Sequence, residues 1–239
     1  MRTPKTLIRL LAGVTSLGLV GITGTQMIGP MLERSETETL TYPAGSERIE
    51  LANGIGSVRV RAAAAGEDPH LEVRRTWGLT APETGIQQEG STARLTGSCD
   101  TGFKVLGDVC RTEWVLVVPA ETDLSVENGA GSVVIEGTSG ELSARAGVGE
   151  VRVLGTTADR IDVQAGVGEV RVEAAQAPTS IDVEAGVGGI AIVVPRDERY
   201  RVTSDSPPSM VHNEIGDDVS SEHRISVRIG VGEARITGG

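Results

Sequence analysis

The stretch LSARAGVGEVRV (residues 142–153) recurs almost unchanged as IDVQAGVGEVRV (161–172) and again as IDVEAGVGGIAI (181–192). In each copy apolar and polar residues alternate on both sides of a Gly-x-Gly centre, so Val151 and Val153 share one face while Glu150 and Arg152 share the other. That period of two is what a strand with one buried face requires. The glycines mark a sharp turn, and the first one of each turn (Gly147, Gly166, Gly186) is expected at positive φ, which residues with a Cβ resist.

Outward from these three copies, the same pattern occurs as IELANGIGSVRV (49–60), LSVENGAGSVVI (124–135) and ISVRIGVGEARI (225–236). The repeat glycines are Gly54, Gly129, Gly147, Gly166, Gly186 and Gly230. From Gly129 to Gly186 they are spaced 18, 19 and 20 residues apart, and Gly230 follows after 44. A gap of that length holds two further turns. A degenerate copy begins at Tyr200-Arg201-Val202 and is interrupted by Pro207 and Pro208. Units near 20 residues with two short strands each predict an all-β domain of the β-solenoid or β-helix kind, in which a coil buries its apolar face by stacking on its neighbours. About ten coils would stack to roughly 45 Å, with repeat glycines of adjacent copies one strand spacing apart. A β-sandwich of hairpins is the alternative fold.

Outward-facing positions carry charges of both signs. Glu127, Arg145, Gln164 and Glu184 follow one another in successive copies, and Glu150 and Arg152 align with Glu169 and Arg171. Opposite charges then meet on neighbouring rungs, where they fix register and keep edges from sticking more than they add stability. The segment 62–118 fits the repeat less well. LEVRR (71–75) and RTEWVLVVP (111–119) read as strands, and the turn-rich stretch between them reads as an excursion from the stack.

The N-terminus has a different composition. Arg2, Lys5 and Arg9 precede an uncharged run from Leu10 to Leu32, long enough for one transmembrane helix. Positive flanking charge places residues 1–9 in the cytoplasm and 47–239 outside it, with 33–46 as a linker. The run also holds five glycines together with Thr15, Ser16, Thr23, Thr25 and Gln26, so a cleaved signal segment is the alternative, and the domain would then be secreted. Cys99 and Cys110 are the only cysteines, and an oxidising compartment outside the membrane would pair them as a disulfide.

Of the formal net charge of -11, Arg2, Lys5 and Arg9 contribute +3, which leaves -14 for the rest of the chain and disfavours nucleic acid as a partner. The 32 glycines against five aromatic residues imply a core of Val, Ile, Leu and Ala, and leave few rings for a sugar platform. Gly147-Val-Gly149 lacks the third glycine and following helix of a dinucleotide loop, and no G-x-S-x-G nucleophile elbow occurs. The segment from His212 to His223 gathers Glu214, Asp217, Asp218 and Glu222, but at no spacing that matches a closed metal site. No catalytic residue, metal ligand or cofactor site is assigned.

The G-x-G-(E/S)-V-R-V repeats, the VP entries at Val118-Pro119 and Val194-Pro195, and the Cys99/Cys110 spacing ahead of W-V-L-V-V-P together resemble the bacterial putative-adhesin family of β-strand-repeat proteins over residues 47–238. The resemblance implies a roll-like solenoid on a membrane anchor, without an assigned activity. The residue after the second glycine varies (Ser132, Glu150, Glu169, Gly189, Glu233), which argues against an invariant ladder of ligands. The sequence therefore points to a non-enzymatic, membrane-tethered module facing a cell-wall component or surface protein. A polysaccharide-active enzyme on the same fold and the ectodomain of an envelope-stress sensor are the alternatives.

Overall fold

The structure, a computed structural model, describes residues 33–99 and 109–239, so the expected membrane or signal segment at 10–32 lies outside the described residues. Among them no helix is long and apolar enough to cross a membrane. They are nearly all β, joined in one mixed sheet of thirteen strands.

Six long strands carry the repeats: β2 (Arg48–Ala62), β7 (Asp123–Glu136), β8 (Leu142–Thr156), β9 (Arg160–Ala174), β10 (Ser180–Val194) and β13 (Arg224–Gly238). Each pairs with the next in parallel and in register, so Ile161 faces Leu142 on one side and Ile181 on the other. A straight strand of this length would run roughly 50 Å. The connections at 157–159 and 175–179 can span at most about 20 Å. Parallel stacking is therefore possible only because each strand folds back at its Gly-x-Gly corner, giving two arms per coil.

Burial shows the same geometry. In β9 the inward residues are Ile161, Val163 and Ala165 before the corner, then Val170 and Val172 after it. The corner resets the alternation, and both arms face one core. That core is a set of columns such as Ile49, Leu124, Leu142, Ile161, Ile181 and Ile225, all at most 3% exposed. Each fully buried aliphatic side chain contributes about 1.5–3 kcal/mol.

The repeat glycines stack as expected, but for another reason than the one anticipated. Positive φ belongs to the second glycine of each corner, Gly56, Gly131, Gly149, Gly168, Gly188 and Gly232, and the first glycines have none. The first is excluded from carrying a side chain by its neighbour: a Cβ on Gly166 would lie 2.5 Å from the carbonyl oxygen of Gly147. Backbone lies on backbone along this ladder from Gly129 to Gly230, with no room for a methyl.

The segment 62–118 is less of an excursion than its sequence suggests. Within it, β5 (Thr92–Ser98) pairs in parallel with the first arm of β2, and β6 (Cys110–Val118) pairs in parallel with the second. Together they form one more coil, whose corner is replaced by an insertion. Gly97 lies opposite Asn53 and Thr112 opposite Gly56, so the insertion enters between Gly97 and Thr112, where β2 has only 54 and 55. Ala93 and Leu95 alternate with Arg94 and Thr96, so the strand signal is present but surrounded by turn residues. The antiparallel strands β3 (His70–Trp77) on β6 and β4 (Glu83–Glu89) on β5 then close this end. Residues 34–41, expected as linker, form β1 (Arg34–Thr41), an edge strand on β3. Its sequence RSETETLT is polar except for Leu40, the one residue that turns toward the core, because the rest of it faces solvent.

At the other end the order of the chain is not the order of the stack. β13 lies directly on β10, and the degenerate copy sits outside it as β11 (Arg201–Ser204) and β12 (Val211–Asn213), both parallel to β13. The prolines explain this. Pro207 and Pro208 cut the copy into two short pieces around a 3-10 turn, too short to bury both faces but sufficient to cap. The stack thus holds eight rungs, six continuous and two split, not the ten expected.

Candidate functional site: the glycine corner

The corners of successive coils superimpose into three parallel features along the stack. First comes a trench of about 920 Å³ whose floor is the glycine ladder Gly54, Gly129, Gly147, Gly166 and Gly186. Without side chains the ladder leaves a furrow, and Glu127, Arg145, Gln164 and Glu184 form a wall beside it.

Next to the trench stands a ridge. The residue between the two glycines points outward in each of the six continuous coils, and the register aligns Ile55, Ala130, Val148, Val167, Val187 and Val231. Apart from Ala130, these side chains are between 46% and 60% exposed. Nothing in the coil requires an apolar residue there, since the core is filled from the positions on either side. Contiguous exposed apolar surface of this kind marks contact sites.

Beyond the ridge runs the third feature, Ser57, Ser132, Glu150, Glu169, Gly189 and Glu233. Glu150 accepts a bond from Arg152 at 2.6 Å, and that guanidinium holds its carboxyl below its usual range. On the trench wall Arg145 reaches Asp162 at 3.4 Å, and Arg228 at the end of the stack holds Glu184 at 3.4 Å as well as Asp205. These pairs are exposed and screened by solvent, so they add little stability. Ion pairing crosses rungs on the first arm, as expected, but on the second arm it runs along the strand, with Arg171 bonding Glu173 at 2.6 Å.

Cys99 and Cys110 form a disulfide with Cα atoms 5.9 Å apart, closing the neck of the insertion beside the trench. The polar pocket just inside this end is tightly built. Asn53 donates to Asn128, Thr112 donates to Asn53, and Trp114 is 1% exposed with no hydrogen-bond partner for Nε1. Gly97 lies over Asn53, Thr112 and Trp114, where a Cβ would come within 2.9 Å of Trp114 Nε1.

The acidic segment 212–223 lies at the opposite end and its groups serve local turns. Asp217 accepts from the Val202 amide at 2.9 Å, Asp218 from the Ser220 amide at 3.0 Å, and His223 Nδ1 lies 2.8 Å from the Pro178 carbonyl. Among the described residues, no three His, Cys, Asp or Glu converge on a point that would hold a metal ion.

Sequence reasoning misses the ridge although its signal is there. A turn tip in water ordinarily takes a polar residue, yet this one is apolar in all six copies.

No family model matches the chain, and no curated protein matches it. Solved structures do. A putative cell adhesion protein from Clostridium sporogenes aligns with a TM-score of 0.48 and 16% identity, covering 86% of this chain and 98% of its own. A putative adhesin from Bacteroides fragilis aligns at 0.32 and 14%, covering 86% and 97%. A putative lipid binding protein from Parabacteroides distasonis aligns at 0.27 and 10%, covering 85% and 96%. The chain is thus similar to bacterial proteins described for the most part as putative adhesins or cell adhesion proteins.

Proposed function

We propose that this chain is a non-enzymatic, adhesin-like interaction module, a β-solenoid held at the outer face of a bacterial membrane by residues 10–32, and that the glycine corner is its working surface. The observation that carries this reading is the apolar ridge: five aliphatic side chains kept about half exposed, in register, on an otherwise acidic domain. Burying such a column against a partner is favourable at roughly 25 cal/mol per Å².

The trench also supports binding over hydrolysis. Its two carboxylates, Glu127 and Glu184, stand on β7 and β10 with Arg145 and Gln164 between them. Three rungs separate their backbones by about 14 Å. Paired carboxylates that cleave glycosides lie roughly 5–9.5 Å apart.

The test is retention of the full chain on isolated bacterial cell walls, together with alkali extraction of membranes and N-terminal sequencing. Retention on walls and resistance to alkali with residues 10–32 still attached is the expected result. A chain that is released by alkali, or that passes the walls unretained, contradicts the tether or the docking role respectively.

A further inference from the structure

The ridge, the trench and the two charged columns fit one occupant. We infer that the glycine corner is a self-docking surface, in which two copies lie side by side about a two-fold axis parallel to the stack. Each copy's valine ridge then fills the other's glycine-floored trench. The proposal rests on the reading of the corner as a docking surface and names the partner.

The first argument is shape. Along each strand the trench and the ridge are neighbours, and both run the length of the stack from β2 toward β13. A two-fold axis along the stack and between them places the ridge of each copy over the furrow of its mate. A symmetric pair of this kind uses the same patch twice. It covers an apolar column that otherwise meets water, and fills a groove that no side chain of its own coil enters.

Charge is the second argument, and it is more specific. The same axis brings the wall before the trench in one copy against the column after the ridge in the other, rung against rung. The opposed residues are Ala52 with Ser57, Glu127 with Ser132, Arg145 with Glu150, Gln164 with Glu169, Glu184 with Gly189, and Arg228 with Glu233. Where the wall is acidic the facing position is Ser or Gly, and where the wall is Arg the facing position is Glu. No like charges meet. Within one copy Arg145 bonds Asp162, and Arg228 bonds Glu184 and Asp205, so the match between the two columns is not a consequence of these ion pairs inside the chain. Complementary potentials of this kind select a partner and fix its register.

Size sets the strength. Six rungs give a strip about 24 Å long, and two side-chain columns of that length bury on the order of 500 Å² per copy, below the roughly 800 Å² of a standard interface. The pair is therefore weak in dilute solution. An axis along the stack leaves the N-terminal ends of both copies on the same side, so chains tethered to one membrane meet at high effective concentration.

The test uses the full chain in detergent, with sedimentation equilibrium from about 10 μM to about 1 mM, a range that covers weak association. Wild type is expected to pass from monomer to dimer and no further. Arg145→Glu and Glu150→Arg each place like charges on both flanks of the pair, and each alone should weaken association by about tenfold or more. Mixed one to one, the two variants restore both flanks in the heterodimer, which should form with wild-type strength. Folding defects cannot imitate that rescue. Val167→Asp, which puts a charge into the partner's trench, should remain monomeric while melting like wild type.

Three results overturn the proposal: a wild-type chain that stays monomeric throughout, a mixture that associates no better than its components, or a Val167→Asp chain that dimerises normally. If self-association fails while Val167→Asp still loses retention on cell walls, the second copy is ruled out and the docking role of the corner stands. If dimers form but wild type is not retained on walls, the reverse holds.

Discussion

Asn53 donates through Nδ2 to Oδ1 of Asn128 at 2.9 Å, with both side chains no more than 5% exposed between the arms of adjacent coils. Asn128 passes the chain on, donating to the Gly56 carbonyl at 3.1 Å, while Thr112 donates to Asn53 from the coil above. At the same position the later coils have Ala146, Ala165 and Ala185. The stack therefore changes from a polar to an apolar interior along its length.

That arrangement predicts a coupled pair. Asn128→Ala leaves the buried Asn53 amide without its acceptor and should cost about 2–3 kcal/mol in urea unfolding. The double variant Asn53→Ala, Asn128→Ala reproduces the interior of the later coils, so its cost should fall short of the sum by about 1 kcal/mol or more. Strict additivity would show that the two side chains act independently.

The corner glycines should differ sharply from glycines elsewhere. Gly168 has φ of +145°, and a Cβ there would lie 1.6 Å from the Gly149 carbonyl oxygen. Gly155 has φ of +62° with nothing near its would-be Cβ. Gly155→Ala should therefore cost only the left-handed strain, about 1–2 kcal/mol. Gly168→Ala must also push adjacent coils apart, and should lower stability by more than about 3 kcal/mol or prevent folding. Equal losses in thermal or urea unfolding would mean that backbone strain alone governs these positions.

The disulfide closes a twelve-residue loop at one end of the stack, and Cys99→Ser with Cys110→Ser should cost about 3 kcal/mol. The damage should be local to β4, β5 and β6, read as faster amide exchange there than in β9. Thiol labelling of the exported chain without reductant should find no free cysteine, and two labelled thiols would exclude the bridge in the cell.

Acid sensitivity has one identifiable source near β2. Glu67 receives two bonds from Arg61, the first at 2.6 Å, and a further one from the Ala64 amide, and these hold its carboxyl at about 2 against an ordinary 4.5. Because the folded value is depressed, the pair's contribution is complete above about 4.5 and is lost as pH falls from there through about 2. Glu67→Gln should flatten that region of the stability curve by lowering stability at neutral pH, while below about pH 2, where the carboxyl is protonated in both states, the variant and wild type converge. A carboxyl titrating near 4.5 by NMR would contradict the pairing.

Much of the fold is legible because one short pattern carries it. Alternation around Gly-x-Gly dictates the arms, their inward faces and the stacking of Gly147 on Gly129. What is not legible depends on contacts between distant segments. Which glycine turns left-handed depends on where the bend falls between Ala165 and Val170, and the spacing alone does not say. β5 and β6 form a single coil only because β2 pairs with both, and the insertion between them hides that relation along the chain. The place of β11 outside β13 follows from how little a proline-cut copy can bury. The ridge is legible but easily missed, since apolar residues near glycines are readily assigned to the core.

The most direct measurement of the corner's role compares two full-length variants that add the same charge in different places. Val167→Asp alters the ridge, and Gln176→Asp alters an exposed position in the connection at the far end of the same coil. Both should unfold within about 0.5 kcal/mol of wild type, as surface changes do. Retention on isolated cell walls should then fall about tenfold or more for Val167→Asp and stay at the wild-type level for Gln176→Asp. Equal retention of the two variants would contradict the assignment of the glycine corner as the working surface.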